Sequence, residues 1–93
     1  MDLNTEVRRG EIAASLLNNE IYKEAVASVH DGIVHAWSNS PIRDKEGQNE
    51  LRLMLKLLTD LQRNIETVMQ TGKLAKIQIE RESLLKRTTS IFR

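Results

Sequence analysis

An all-α fold is predicted by three observations on the sequence: a helical hairpin with a short leading helix and a long heptad-patterned second arm, assembling into an oligomeric bundle. The first is a row of apolar residues at helical spacing that runs from Leu51 to Ile79, about a third of the chain. The second is that proline occurs once, at Pro41, inside the turn-forming run Ser38-Asn39-Ser40-Pro41-Ile42-Arg43-Asp44. The third is size. A chain of 93 residues makes one domain at most, and its thin core gains from a partner.

The first element is expected over residues 4–17. Asn4 or Thr5 stands where a cap would, and Val7, Ile12, Ala13, Leu16 and Leu17 supply the apolar positions. Asn18-Asn19 then interrupts the pattern, because asparagine side chains compete for the helical backbone. A second helix is expected over 20–37. Tyr22, Val26, Val29, Ile33 and Ala36 step alternately by four and three, with Ile21, Ala25 and Trp37 on the flanks. Residues 38–43 form the turn, since the residue before a proline is pushed out of the helical region. Trp37 is expected to cover the open end of the turn and to donate its indole N–H to a loop carbonyl.

The long arm is expected over 44–86, capped by Asp44, with Glu46 placing negative charge at the positive helix end. Leu51, Met54, Leu58, Leu61, Ile65, Val68, Gly72, Ala75 and Ile79 follow a 3-4 alternation without error. Leu53, Leu55, Leu57 and Met69 widen that face beyond a two-stranded seam, which favours a bundle. The phase survives Thr71-Gly72, so the helix is expected to continue for roughly 60 Å. Gly72 and Ala75 then mark a place where another helix backbone comes close. The stretch from Val68 to Ile79 is the part expected to lack cover within the chain and to take a second copy. Residues 87–93 are expected to be a tail, with Ile91 and Phe92 as its apolar anchors.

Composition excludes several kinds of chemistry. No cysteine is present, which removes disulfides, a thiol nucleophile and thiolate metal sites. No apolar run approaches the roughly 18 residues of a membrane span, and a soluble chain without a secretory signal is expected. His30 and His35, the only histidines, are five residues apart, or about 140° around a helix, so they do not share a metal. The glycines at 10, 32, 47 and 72 are too scattered for a phosphate loop. No cofactor, metal or catalytic residue is expected, and the chain is read as not an enzyme.

Charge is unevenly placed. Residues 1–42 carry three basic and six acidic side chains, and residues 43–93 carry eleven and seven. Lys73, Lys76, Arg81, Lys86 and Arg87 are the candidate phosphate contacts of a nucleic-acid-binding accessory protein, although no aromatic platform accompanies them.

Trp37 ahead of Pro41-Ile42-Arg43-Asp44-Lys45-Glu46-Gly47, then Leu51-Arg52-Leu53-Met54-Leu55-Lys56, then Thr71-Gly72-Lys73-Leu74-Ala75, resembles a group of small helical proteins encoded in tailed-bacteriophage genomes. The resemblance covers about residues 9–80. It implies a viral gene product in the bacterial host cytoplasm, either virion-associated or non-structural, and implies no activity. The expected function is a non-enzymatic homo-oligomeric structural or protein-interaction module in phage assembly or host takeover. The alternatives are the nucleic-acid accessory protein and an inhibitor of a host protein. The expected partners are a second copy, a phage or host protein, or nucleic acid, with no membrane.

Overall fold

The computed structural model describes residues 2–91, with side chains through Thr89. It is a three-helix, all-α arrangement: α1 Leu3–Leu17, α2 Glu20–Ser38 and α3 Lys45–Ile91. The helices pack into two compact units, one made by α1 through Ser15 with α3 from Glu66 onward, the other by Leu16–Ile65.

In the first unit α1 begins one residue earlier than expected, because the cap is Asp2 rather than Asn4 or Thr5. Asp2 Oδ1 accepts the Thr5 amide hydrogen at 2.7 Å. That bond, with a second from the Thr5 side chain, holds the Asp2 carboxyl below the usual carboxylate range. The packing of α1 on α3 is made by small residues. Gly10, Ala13, Gly72 and Ala75 are the buried positions, Ala13 at 6% and Ala75 at 3% exposure. A Cβ built on Gly72 would lie 2.7 Å from Gly10 Cα, and one built on Gly10 would lie 2.7 Å from Gly72 Cα. Ordinary Cβ contacts begin near 3.4 Å, so the two backbones cross where neither chain carries a side chain. Gly72 therefore costs helix propensity and returns a close helix contact. The partner at this narrow point is α1 of the same chain, so Gly72 and Ala75, expected to lack cover within the chain, have it.

In the second unit the helix break falls at Asn18-Asn19, where Asn19 Oδ1 caps α2 by accepting the Tyr22 amide hydrogen at 2.9 Å. Asn19→Ala removes that acceptor and is expected to cost about 1 kcal/mol, read as a lower urea midpoint with an unchanged m-value. α2 ends at Ser38, and the Asn39 amide donates to the His35 carbonyl at 3.1 Å. The turn is tied through the Trp37 carbonyl, which accepts from the Ser40 amide at 3.1 Å and the Ser40 hydroxyl at 2.7 Å. The indole is not the tie that the sequence suggests. Trp37 remains 38% exposed. Gln48 Nε2 donates to the Pro41 carbonyl at 3.0 Å, and Asp44 Oδ1 accepts the Gly47 amide hydrogen at 3.0 Å, which caps α3.

α3 is continuous through Gly72 and does not stop at Lys86. It runs on to Ile91, because Thr88 and Thr89 turn their hydroxyls back onto the Leu84 and Leu85 carbonyls, both at 2.9 Å, and so do not compete with the helix for its amides. The residues expected to be a tail are helical as far as Ile91; the anchoring side chains of Ile91 and Phe92 lie outside the described residues.

Candidate interaction surface

The sequence places a single seam on α3, and the structure divides its members. Gly72 and Ala75 are buried, and Leu51, Leu58, Ile65, Val68 and Ile79 are half-buried. Met54 and Leu61 are 51% and 53% exposed. Within the second unit the covered row on α3 is Leu51, Leu55, Leu58, Gln62 and Ile65. The reason is angular. One neighbouring helix covers a sector of about 100°, the apolar face of α3 is wider, and the covered sector lies to the Leu55 side. Gln62 is thereby drawn under cover, while Met54 and Leu61 are left out.

At about 100° per residue, the uncovered apolar side chains of α3 in this unit gather roughly a quarter-turn back from the covered row. They are Leu53, Met54, Leu57 and Leu61, exposed by 59%, 51%, 68% and 53%. A quarter-turn the other way lie Arg52, Lys56, Thr59 and Arg63, all exposed. Lys56 and Arg63 reach Asp60 at 3.6 and 3.8 Å, surface pairs that contribute under about 1 kcal/mol each.

α2 repeats the arrangement. Its covered row is Tyr22, Val26 and Ile33, with Ile33 8% exposed. Roughly a quarter-turn back stand Ile21, Ala25, Val29, Gly32 and Ala36, all exposed, with Ile21 at 70% and Val29 at 52%. The opposite quarter carries Lys23, His30 and Asp31, and among them the apolar Val34, 41% exposed. His30 Nδ1 approaches Asp31 Oδ1 at 3.3 Å, and the His35 ring stands 3.3 Å from the Asn39 side-chain amide. Each histidine has its own local neighbour, and among the described residues no group of three or more His, Asp and Glu side chains is placed to hold a metal ion. Sequence reasoning missed the row on α2 as a surface. The periodicity puts Val29 and Ala36 on the buried stripe, where the structure leaves both exposed, and Ile21 and Ala25 on its flanks; the signal for a separate row was Gly32 in line with them.

In the first unit the basic side chains do not converge. Lys73, Lys76 and Arg87 fall within a sector of about 60° on α3, but Glu80 sits inside that sector, and Arg81 and Lys86 lie well outside it. All five are exposed. Lys73 and Lys76 also border a cleft shared with Glu11 of α1, beside the Gly10–Gly72 crossing. A phosphate track needs cations in line, and this arrangement divides them. The same half of α3 carries an exposed apolar group, Leu74, Ile77, Leu84 and Leu85, at 50% to 67% exposure. Among the described residues no helix is long and apolar enough to cross a membrane.

The chain matches no known protein-family model, no curated protein and no solved structure.

Proposed function

We propose that this protein is a homo-oligomeric structural or interaction module. The observation that carries the reading is how little the single chain buries. Among the described residues the buried hydrophobic side chains are Ala13, Ile33 and Ala75, so only one of them is large. The chain exposes 7698 Å², whereas a folded monomer of its 10.7 kDa exposes about 5,500 Å². The surplus of roughly 2,200 Å² exceeds the approximately 800 Å² that each partner contributes to a standard interface. A second copy supplies the missing cover. Following the sequence resemblance, the role proposed for this module is in virion assembly or host takeover within the bacterial host.

In this reading α2 and the first half of α3 form an antiparallel hairpin. In an antiparallel pair, equal offsets in the N-to-C screw sense fall on the same side of the layer. The uncovered apolar rows of both helices are displaced in the same sense, so they form one apolar side, and the quarters that carry the charged residues, with Val34 among them, form the other. The hairpin is then an amphipathic layer, and the oligomeric bundle is what such layers make when their apolar sides meet.

Sedimentation equilibrium at micromolar concentration is expected to return a multiple of the 10.7 kDa chain mass, and the thermal midpoint is expected to rise with protein concentration, as it does when folding and association are linked. A single-chain mass with a concentration-independent midpoint rejects the reading. Adding DNA or RNA at low salt is expected to leave the mass unchanged; a mass that increases only with nucleic acid would favour the accessory-protein alternative.

A further inference from the structure

We infer that two copies associate through the apolar side of Leu16–Ile65, about a two-fold axis parallel to the helices, so that α2 of each copy lies over α3 of the other. This rests on the self-association and hairpin proposed above and names the face and the geometry.

The apolar side is unequal across its width. Its α3 half is large, with Leu53, Met54, Leu57 and Leu61 each more than half exposed. Its α2 half alternates, with Ala25 between the exposed Ile21 and Val29 and a low stretch at Gly32 and Ala36 towards the turn. Nothing lies within 4 Å of a Cβ built on Gly32, so the hollow at that position is open to whatever docks. Counted outward from the helix ends at Ser38 and Lys45, Gly32 is level with Leu51, within a turn of Leu53 and Met54, and Ala25 is level with Leu58, beside Leu57 and Leu61.

Two face-to-face symmetries are available. An axis across the helices sets α3 on α3 and α2 on α2. The leucine rows then collide along one edge while the small residues leave a gap along the other. An axis along the helices sets large on small at both edges. Leu53 and Met54 of each copy then enter the hollow at Gly32 of the other, and Leu57 and Leu61 pack over Ala25. Interiors pack at the density of organic crystals, and alternating large and small residues is how facing layers reach it. Both geometries set each helix antiparallel to the one it covers, so the helix dipoles favour neither and the choice rests on packing. The surplus of roughly 2,200 Å² belongs to the whole chain, and this face contributes to it through Ile21, Val29, Leu53, Met54, Leu57 and Leu61, each more than half exposed.

The experiment uses Gly32→Leu. Its side chain meets nothing in the single chain and replaces a poor helix former with a good one, yet it fills the hollow the partner needs. By sedimentation equilibrium the expected result is at least a 100-fold weaker association with far-ultraviolet helicity retained. A variant that associates like the wild type overturns this face while leaving self-association standing; a wild type that is itself single-chain overturns self-association.

The chain has no cysteine, so single cysteines report the geometry in an otherwise native background, whether or not Gly32→Leu folds. An oxidised mixture of Ala25→Cys and Leu57→Cys proteins is expected to form the mixed disulfide, and neither protein alone is expected to cross-link. Disulfides from single variants at Met54, Leu57 or Leu61 would instead place α3 on α3 and overturn the axis proposed.

Discussion

Gly72→Leu is expected to detach α1 from α3. A Cβ at this position would lie 2.7 Å from Gly10 Cα and 2.9 Å from the Glu6 carbonyl oxygen. Both neighbours are backbone atoms, so no side chain can rotate out of the way and the whole of α1 has to move. Replacing a helical glycine with a good helix former favours the helix by about 1 kcal/mol. Overpacking a tight contact costs about 1–3 kcal/mol even for small additions, and a leucine adds three further carbons beyond the clashing Cβ. The steric term wins. Hydrogen exchange is expected to show loss of protection across Leu3–Leu17 while α2 keeps its own, and the urea midpoint is expected to fall. Gly10→Ala clashes with Gly72 Cα from the other side and should act in the same direction with a smaller effect. A Gly72→Leu protein with wild-type protection in α1 would show that the two backbones do not cross at this point.

The reason for Gly72 illustrates what the sequence reveals and what it withholds. An unbroken apolar phase across Thr71-Gly72 is a local property, so the continuity of α3 is legible. The partner is not, because a glycine on one helix says only that something comes close. Gly10 looks like one more scattered glycine until α1 is laid on α3. The Asn18-Asn19 break and the Asp44 cap are likewise legible, since each depends on a side chain and the backbone within three residues of it. Periodicity puts Met54 and Leu61 in the seam, yet they are exposed, whereas Gln62 is half-covered although it is polar. Periodicity finds an apolar sector, and its rotation against a neighbour is fixed only by the neighbour. The same limit hid the low row on α2. Ala25, Gly32 and Ala36 gain meaning beside Leu53, Met54, Leu57 and Leu61 only when both helices are oriented together.

Ile33→Ala is expected to be the most destabilising truncation in the second unit. Ile33 is the one large hydrophobic side chain that the described residues bury, at 8% exposure. Removing three carbons from a buried isoleucine costs about 2–5 kcal/mol through lost transfer energy and the cavity left behind. Small domains have little stability to lose, and the side of this unit proposed for docking needs α2 held at a fixed rotation. Stability and association should therefore fall together: the urea midpoint drops, and the concentration needed for self-association rises. Tyr22→Phe separates this effect from any general sensitivity of α2. The Tyr22 hydroxyl is shut away from solvent without a hydrogen-bond partner, and a buried polar group in that condition costs about 1–3 kcal/mol. Deleting the hydroxyl removes the cost and keeps the ring, so Tyr22→Phe is expected to match or exceed the wild-type midpoint with an unchanged m-value. If Ile33→Ala were tolerated while Tyr22→Phe was damaging, the polar end of Tyr22 would be holding α2, and the covered row Tyr22, Val26 and Ile33 would not be the core of this unit.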